Sequence, residues 1–267
     1  MNKWVFVCVT IVIILLGGAY ILQMMQPPLS ISIYESVDIY AYRYFYPSQA
    51  AASAAHSEYA DENQSVQTIT SVPELAHPTE IRSEFVLLRQ QFENDDIVGH
   101  LIIDGTSIDY FVTQGQDNHF YLYHDIHKNA NRSGWVFLDH TNNISRSDRN
   151  TVIYAHNVRD GTRFRDITQF ASLEFFNNHR YIHFNTIYED SLWEVFAFYR
   201  TGIDFPYIQI IFPTRDIFAG LLSEIQKKSW HDANIVVTAD DRILTLSTCV
   251  SYGGQDMRYV IHARLVQ

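Results

Sequence analysis

Ile243-Leu244-Thr245-Leu246-Ser247-Thr248-Cys249 alternates branched apolar residues with hydroxyl residues and ends on a cysteine. A period of two reads as a half-buried β-strand. A polar loop, Val250-Ser251-Tyr252-Gly253-Gly254-Gln255-Asp256-Met257, leads into a second strand-like run, Arg258-Tyr259-Val260-Ile261-His262-Ala263-Arg264-Leu265-Val266. If the two runs pair as an antiparallel hairpin, Cys249 and Arg258 lie side by side. A thiol beside a guanidinium at the open end of a sheet suits a nucleophile, because positive charge favours the thiolate. A buried, inert cysteine is the competing reading. The position at a strand end, beside polar loop residues, favours reactivity.

Upstream, short apolar runs with turn residues between them predict strands over residues 98–103, 107–112, 134–139, 151–155, 181–184 and 192–200. Asp104-Gly105 between the first two is a hairpin signal. Two helices accompany them. Pro78-Thr79-Glu80 opens one, with Thr79 as N-cap and Ile81, Phe85, Leu88 and Phe92 along one face; it is expected to pack outside the sheet. The other follows Pro213 and carries Ile217, Leu221, Leu222 and Ile225 on one face, ending near Trp230. Many short strands with few helices imply a mostly β fold, a barrel or a sandwich with peripheral helices.

The chain has 267 residues, 47% of them hydrophobic, enough for a sizeable core. A formal charge of −11 without a basic stripe argues against nucleic acid as a partner. Residues 4–25 form a run of 22 residues without a charge. As a helix it would extend roughly 30 Å, the thickness of a bilayer's hydrocarbon core. Lys3 on one side, and Glu35 and Asp38 on the other, orient the amino terminus to the cytoplasm and the remainder outside. A cleaved signal peptide is the alternative, but the apolar run is longer than such peptides require. The expected organisation is a cytoplasmic end and membrane anchor over 1–28, an extracellular stalk over 29–78 and a folded domain over 79–267. Cys8 falls in the anchor, so the domain carries one thiol, Cys249, and no disulfide framework.

His156 follows the strand over 151–155 and opens into a polar loop, a place where a general acid or base is displayed. With twelve histidines in the chain, position alone gives it little weight. His124-Asp125-Ile126-His127 and nearby His119 lack the spacing of a zinc motif, and a solvated loop is the preferred reading; no metal and no other cofactor is expected.

Tyr154-Ala155-His156-Asn157, Thr245-Leu246-Ser247-Thr248-Cys249 and Arg258-Tyr259-Val260-Ile261-His262-Ala263-Arg264-Leu265 resemble the three signature blocks of the sortases. Ile97-Val98-Gly99, Ile103-Asp104-Gly105-Thr106, Ile108-Asp109-Tyr110 and Asp117-Asn118-His119-Phe120-Tyr121-Leu122 resemble the opening of the class B members. The resemblance covers about residues 81–267. It departs at Ala155, where the family has Gly, at His100, where it has Trp, and at Phe111, where it has Pro. The last two bear on groove shape rather than on chemistry.

The resemblance implies a closed β-barrel with an N-terminal helix and a long helix before the cysteine strand. It also implies a membrane-anchored extracellular cysteine transpeptidase. Such an enzyme cleaves a C-terminal sorting signal of a secreted protein (NPxTN- or LPxTG-like) after Thr and transfers the new carboxyl end to an amine of peptidoglycan or its precursor; some relatives build pili. Cys249 would be the nucleophile, His156 the acid and base, and Arg258 the donor to the oxyanion or peptide backbone. Asn118, Leu122, Ser247, Thr248, Tyr207 and Ile208 would bind substrate, with plain packing an equal reading for Leu122, Tyr207 and Ile208. Reference pKa values of ~8.5 for Cys and ~6.5 for His favour the neutral pair at pH 7 and hence slow turnover. Two alternatives remain. An L,D-transpeptidase-like acyl-transferase would need glycine before its cysteine and arginine close behind, whereas Thr248 precedes Cys249 and the arginine is nine residues on (258 − 249). A non-catalytic, membrane-tethered binding domain would have no use for the three filled positions.

Overall fold

The computed structural model describes residues 80–145, 148–249 and 257–266. The predicted anchor, the stalk, Thr79 and the loop over 250–256 lie outside them. Among the described residues no helix is long and apolar enough to cross a membrane.

Eight strands close into a barrel: β1 (Ile97–Ile102), β2 (Asp109–Thr113), β3 (Phe137–Leu138), β4 (Asn150–Ala155), β5 (Tyr181–Thr186), β6 (Leu192–Gly202), β7 (Ile243–Cys249) and β8 (Met257–Leu265). Around the barrel they run β1-β2-β3-β4-β7-β8-β6-β5, and β5 pairs back to β1. The closure is thinnest at β3, which pairs with β2 at one position, Thr113↔Phe137. The pairs β2–β3 and β4–β7 are parallel; the others are antiparallel. The predicted terminal hairpin forms as β7–β8, in unbroken register from Ile243↔Arg264 to Cys249↔Arg258.

Among the described residues three helices flank the barrel: α1 (Ser83–Phe92), α2 (Leu173–Asn178) and α3 (Arg215–Lys228). Helix α1 starts later than the sequence predicts. Arg82 stands at its N-cap without a side-chain cap bond, tied instead through its amide to the Ile187 carbonyl and through its guanidinium to Asp190. Phe85 is buried, and Ile81, Leu88 and Phe92 pack on a small cluster with Ile97, Ile126 and Ile187. Helix α3 is capped by the Thr214 hydroxyl, which accepts from the Ile217 amide. Its buried stripe is Phe218, Leu221, Leu222 and Ile225, whereas the expected Ile217 is 46% exposed. Ile217 lies in the first turn, at the edge of the stripe. At about 1.5–3 kcal/mol per buried side chain, those four contribute roughly 6–12 kcal/mol before entropy is subtracted.

The strand expected over 134–139 shrinks to Phe137–Leu138. Gly134 takes φ +54°, and a Cβ there would meet the carbonyl oxygens of Tyr121 and Leu122 at 2.6 Å. The chain turns at this glycine because another backbone segment presses against it. The Asp104-Gly105 turn (Gly105 φ +78°) is wider than expected because Thr106 occupies it, its hydroxyl donating to the Ile103 carbonyl and accepting from the Ile108 amide. Strand β2 therefore begins at Asp109.

His262 is fully buried on β8, and burial pushes its pKa down to about 3. The unfolded chain binds a proton near pH 6.5 and the folded chain does not. The stability tied to this residue is therefore complete above pH 6.5 and is lost as pH falls from 6.5 toward 3, by about 1.4 kcal/mol per unit. Between pH 6.5 and 4.5, urea unfolding of the wild-type chain is expected to lose about 2–3 kcal/mol more than that of His262→Gln. Equal pH slopes in the two proteins would contradict a neutral buried histidine.

Candidate active site

Strands β4, β7 and β8 are neighbours, and their register gathers three separated parts of the sequence at one end of the barrel. Parallel pairing sets Ala155 opposite Thr248, so His156 continues β4 where Cys249 ends β7. Antiparallel pairing sets Cys249 opposite Arg258, and the next pairing sets Arg258 opposite Thr201 on β6. With strands roughly 4.8 Å apart, the three positions lie within two strand spacings, about 10 Å.

His156 is held from below. Its Nε2 lies 2.9 Å from the Leu122 carbonyl oxygen. A carbonyl only accepts, so Nε2 carries the hydrogen and donates it, and in the neutral ring Nδ1 is the nitrogen without one. Leu122 ends the 3-10 turn Phe120–Leu122. That turn is fixed where the Trp135 amide donates to the Tyr121 carbonyl, and by the close approach of Gly134. Behind Gly134, Arg163 donates to its carbonyl and stacks its guanidinium 4.3 Å from the Trp135 ring centroid.

Asn118 uses both ends of its amide within the protein: Nδ2 donates to Asp139 Oδ2 at 2.8 Å, and Oδ1 accepts from the His140 amide at 2.9 Å. The buried Asp139 carboxylate also accepts from the Tyr154 phenol and from the Thr141 amide and hydroxyl. Nearby, partial burial works to raise the Asp117 carboxyl, but the Phe120 and His119 amides that it accepts from leave it below its ordinary value. Tyr207 and Ser247 are buried and bond to each other through their hydroxyls at 3.0 Å. Thr248 is buried too, its hydroxyl without a partner among the described residues. Ile208 is half-buried against the core.

The family model described as "Sortase domain" matches residues 101–266. The chain belongs to the sortase family. It is 36% identical over 188 residues to the Sortase B of Listeria monocytogenes, covering 70% of this chain and 76% of that one. To the Sortase B of Staphylococcus aureus it is 33% identical over 192 residues, covering 72% and 78%. Among solved structures, a Staphylococcus aureus sortase B–substrate complex superposes with a TM-score of 0.66 at 33% identity, covering 71% of this chain and 87% of that one. A sortase B solved with triglycine gives 0.66 at 34%, covering 70% and 87%. Sortases are cysteine transpeptidases, and this class B sortase is one of them.

In this sortase the two residues expected to alter the groove are partners of each other. His100 and Phe111 pair across β1–β2 with ring centroids 4.7 Å apart, His100 Nε2 lies 2.6 Å from Asp109 Oδ1, and Phe92 of α1 sets its edge on Phe111. Phe111 therefore joins the first hairpin to α1, and His100 packs on Phe111 within that hairpin. The histidines of the 119–127 loop pack locally. His124 stacks on Phe120 at 4.0 Å and donates from Nδ1 to its carbonyl, and His127 lies against Phe92. Among the described residues no group of three His, Cys, Asp or Glu side chains is placed to hold a metal ion.

Sequence reasoning missed Gly134, Asp139 and the backbone role of Leu122. Gly134 could have been found as a glycine inside a predicted strand, a mark of close backbone approach. A carbonyl that any residue supplies leaves no signal.

Proposed function

We propose that this sortase carries out transpeptidation with Cys249 as nucleophile, His156 as proton carrier and Arg258 as the fixed cation. The observation that supports it most is the register that brings position 249 beside both Arg258 and the end of β4. The Cys249 thiolate attacks the carbonyl carbon of threonine to form a thioester, and the C–N bond to the next residue breaks. The imidazolium of His156 gives the leaving amine its proton from Nδ1. The incoming amine then loses a proton to the same nitrogen as it attacks the thioester carbonyl; the C–S bond breaks, and the thiolate–imidazolium pair is restored. Arg258 stays charged at every working pH, so it serves as a donor to the tetrahedral oxyanion rather than as a base.

The substrate class we infer is a secreted protein with an NPxTN-like C-terminal signal, and the acceptor an amine of peptidoglycan or its precursor. Support comes from the class B relatives, one solved with its substrate and one with triglycine. The 22-residue uncharged run supports an anchored enzyme with its catalytic domain outside the cell. Incubating the full chain with an NPxTN peptide and triglycine should give cleavage after threonine and a triglycine-linked product. Intact peptide across a panel of sorting signals would overturn the substrate class.

Arg258→Ala is expected to lower kcat/KM for that peptide by about 10²–10³-fold, the effect of losing one oxyanion donor. Arg258→Lys should recover little of it, because a point charge does not reproduce the planar fork. Wild-type rates in Arg258→Ala would remove it from the mechanism.

A further inference from the structure

Four fully buried polar side chains, one from each of four neighbouring strands, form a single unbranched hydrogen-bond chain. The Tyr199 phenol on β6 lies 2.7 Å from His262 Nε2 on β8. His262 Nδ1 lies 2.9 Å from Thr245 Oγ1 on β7, and Thr245 Oγ1 lies 2.6 Å from Asn150 Oδ1 on β4. Position 245 is four residues, and two strand periods, before Cys249.

The direction of every bond follows from one end. Asn150 Nδ2 contacts the carbonyl oxygens of Tyr207 and Gln209, at 3.0 and 2.9 Å, so it is the NH₂ end and Oδ1 accepts. Thr245 therefore donates to Oδ1 and accepts from His262 Nδ1–H. A neutral imidazole has one hydrogen to give, so Nε2 accepts from the Tyr199 phenol. Every N–H and O–H along the chain is donated, and losing one link leaves a buried group unpaired.

The chain ends on a segment that regular structure does not hold. Residues 203–214 connect β6 to α3 without a strand or a helix, so no ladder fixes them to the barrel. Asn150 grips two of their carbonyls, on either side of Ile208, and the Tyr207 phenol adds the bond to Ser247.

We propose that Asn150 is a positioning residue: it holds residues 207–209 as a preformed wall of the peptide groove, and Tyr199, His262 and Thr245 fix the orientation of its amide. The proposal rests on the reading of Tyr207 and Ile208 as groove residues. Preforming the wall removes the entropy of ordering it from the cost of binding, so its loss appears in KM rather than in the chemical step.

The test uses the full chain with Thr245→Val, which removes the hydroxyl at nearly constant volume, and Thr245→Ser, which keeps it. Hydrogen exchange of the amides over 205–211 is measured, together with KM and kcat for the NPxTN peptide and the rate of Cys249 alkylation by iodoacetamide. The valine variant is expected to exchange over 205–211 and to raise KM at least tenfold each, with kcat and alkylation within threefold of wild type. The serine variant should stay within threefold throughout. Wild-type exchange over 205–211 in a folded valine variant would overturn the proposal. So would kcat and alkylation falling with KM unchanged, which would mean that the chain positions the thiol instead. If Thr245→Val does not fold, Tyr199→Phe, which removes only the terminal donor, is measured in the same way. If the wild-type chain cleaves no peptide, the groove reading fails, and exchange alone decides whether the segment is anchored through Asn150.

Discussion

Cys249→Ala is expected to abolish both cleavage and transfer, by at least about 10⁴-fold in kcat, the scale on which a lost nucleophile acts. The loss should be complete in a way that no other substitution here matches. In the proposed mechanism Arg258 and His156 lower the barriers of a reaction that Cys249 makes possible, and without the thiol no thioester forms for the amine to attack. Position 249 is the last of seven residues in β7, and its pairing with Arg258 is the last in the β7–β8 register. The other pairs hold the hairpin, so the variant should unfold at the same urea concentration as wild type. Residual transfer at wild-type rates from a folded alanine variant would require another nucleophile and end the proposal.

The second large effect is expected at His156. His156→Ala should reduce kcat/KM by about 10²–10⁴-fold, the usual contribution of a positioned acid and base. The loss should depend on the leaving group. An amine leaves only with a proton, whereas a peptide thioester with the same recognition sequence leaves without one. Acylation of the His156→Ala variant by such a thioester should therefore recover most of the rate, while transfer to triglycine, which still needs a base, stays slow. His156→Gln adds a finer test. Its amide can donate to the Leu122 carbonyl as the imidazole does, but cannot carry a proton, so it should be as inactive as the alanine variant on the peptide substrate. Equal losses with peptide and thioester would show that His156 acts by shaping the site and not by moving a proton.

The hairpin that brings Cys249 and Arg258 together was legible because it is local: two alternating runs joined by a short polar loop admit one antiparallel register. The place of His156 was not legible from pattern alone. It depends on the parallel pairing of β4 with β7, whose partners Ala155 and Thr248 are far apart in sequence and share no turn. Only the resemblance of the Tyr154–Asn157 block to a known family singled that histidine out among twelve. On α3 the expected Leu221, Leu222 and Ile225 are buried, and Phe218 rather than Ile217 completes the stripe, because both apolar residues border that face and only one fits it. His262 shows a different limit. In Val260-Ile261-His262-Ala263 it interrupts an apolar run, and its neighbours Thr245 and Tyr199 supply what it needs to be buried. Polar residues at positions of core parity on adjacent strands are the sequence trace of such a chain, but they become informative only when the strand order is known.

The most direct test of the central claim is intact-protein mass spectrometry of the full chain mixed with an NPxTN peptide in the absence of an amine. The account predicts a mass increase equal to the acyl fragment ending in threonine, located on the peptide that contains Cys249 and discharged when triglycine is added. A folded protein whose thiol alkylates normally, yet which forms no adduct with any sorting-signal peptide, would contradict it.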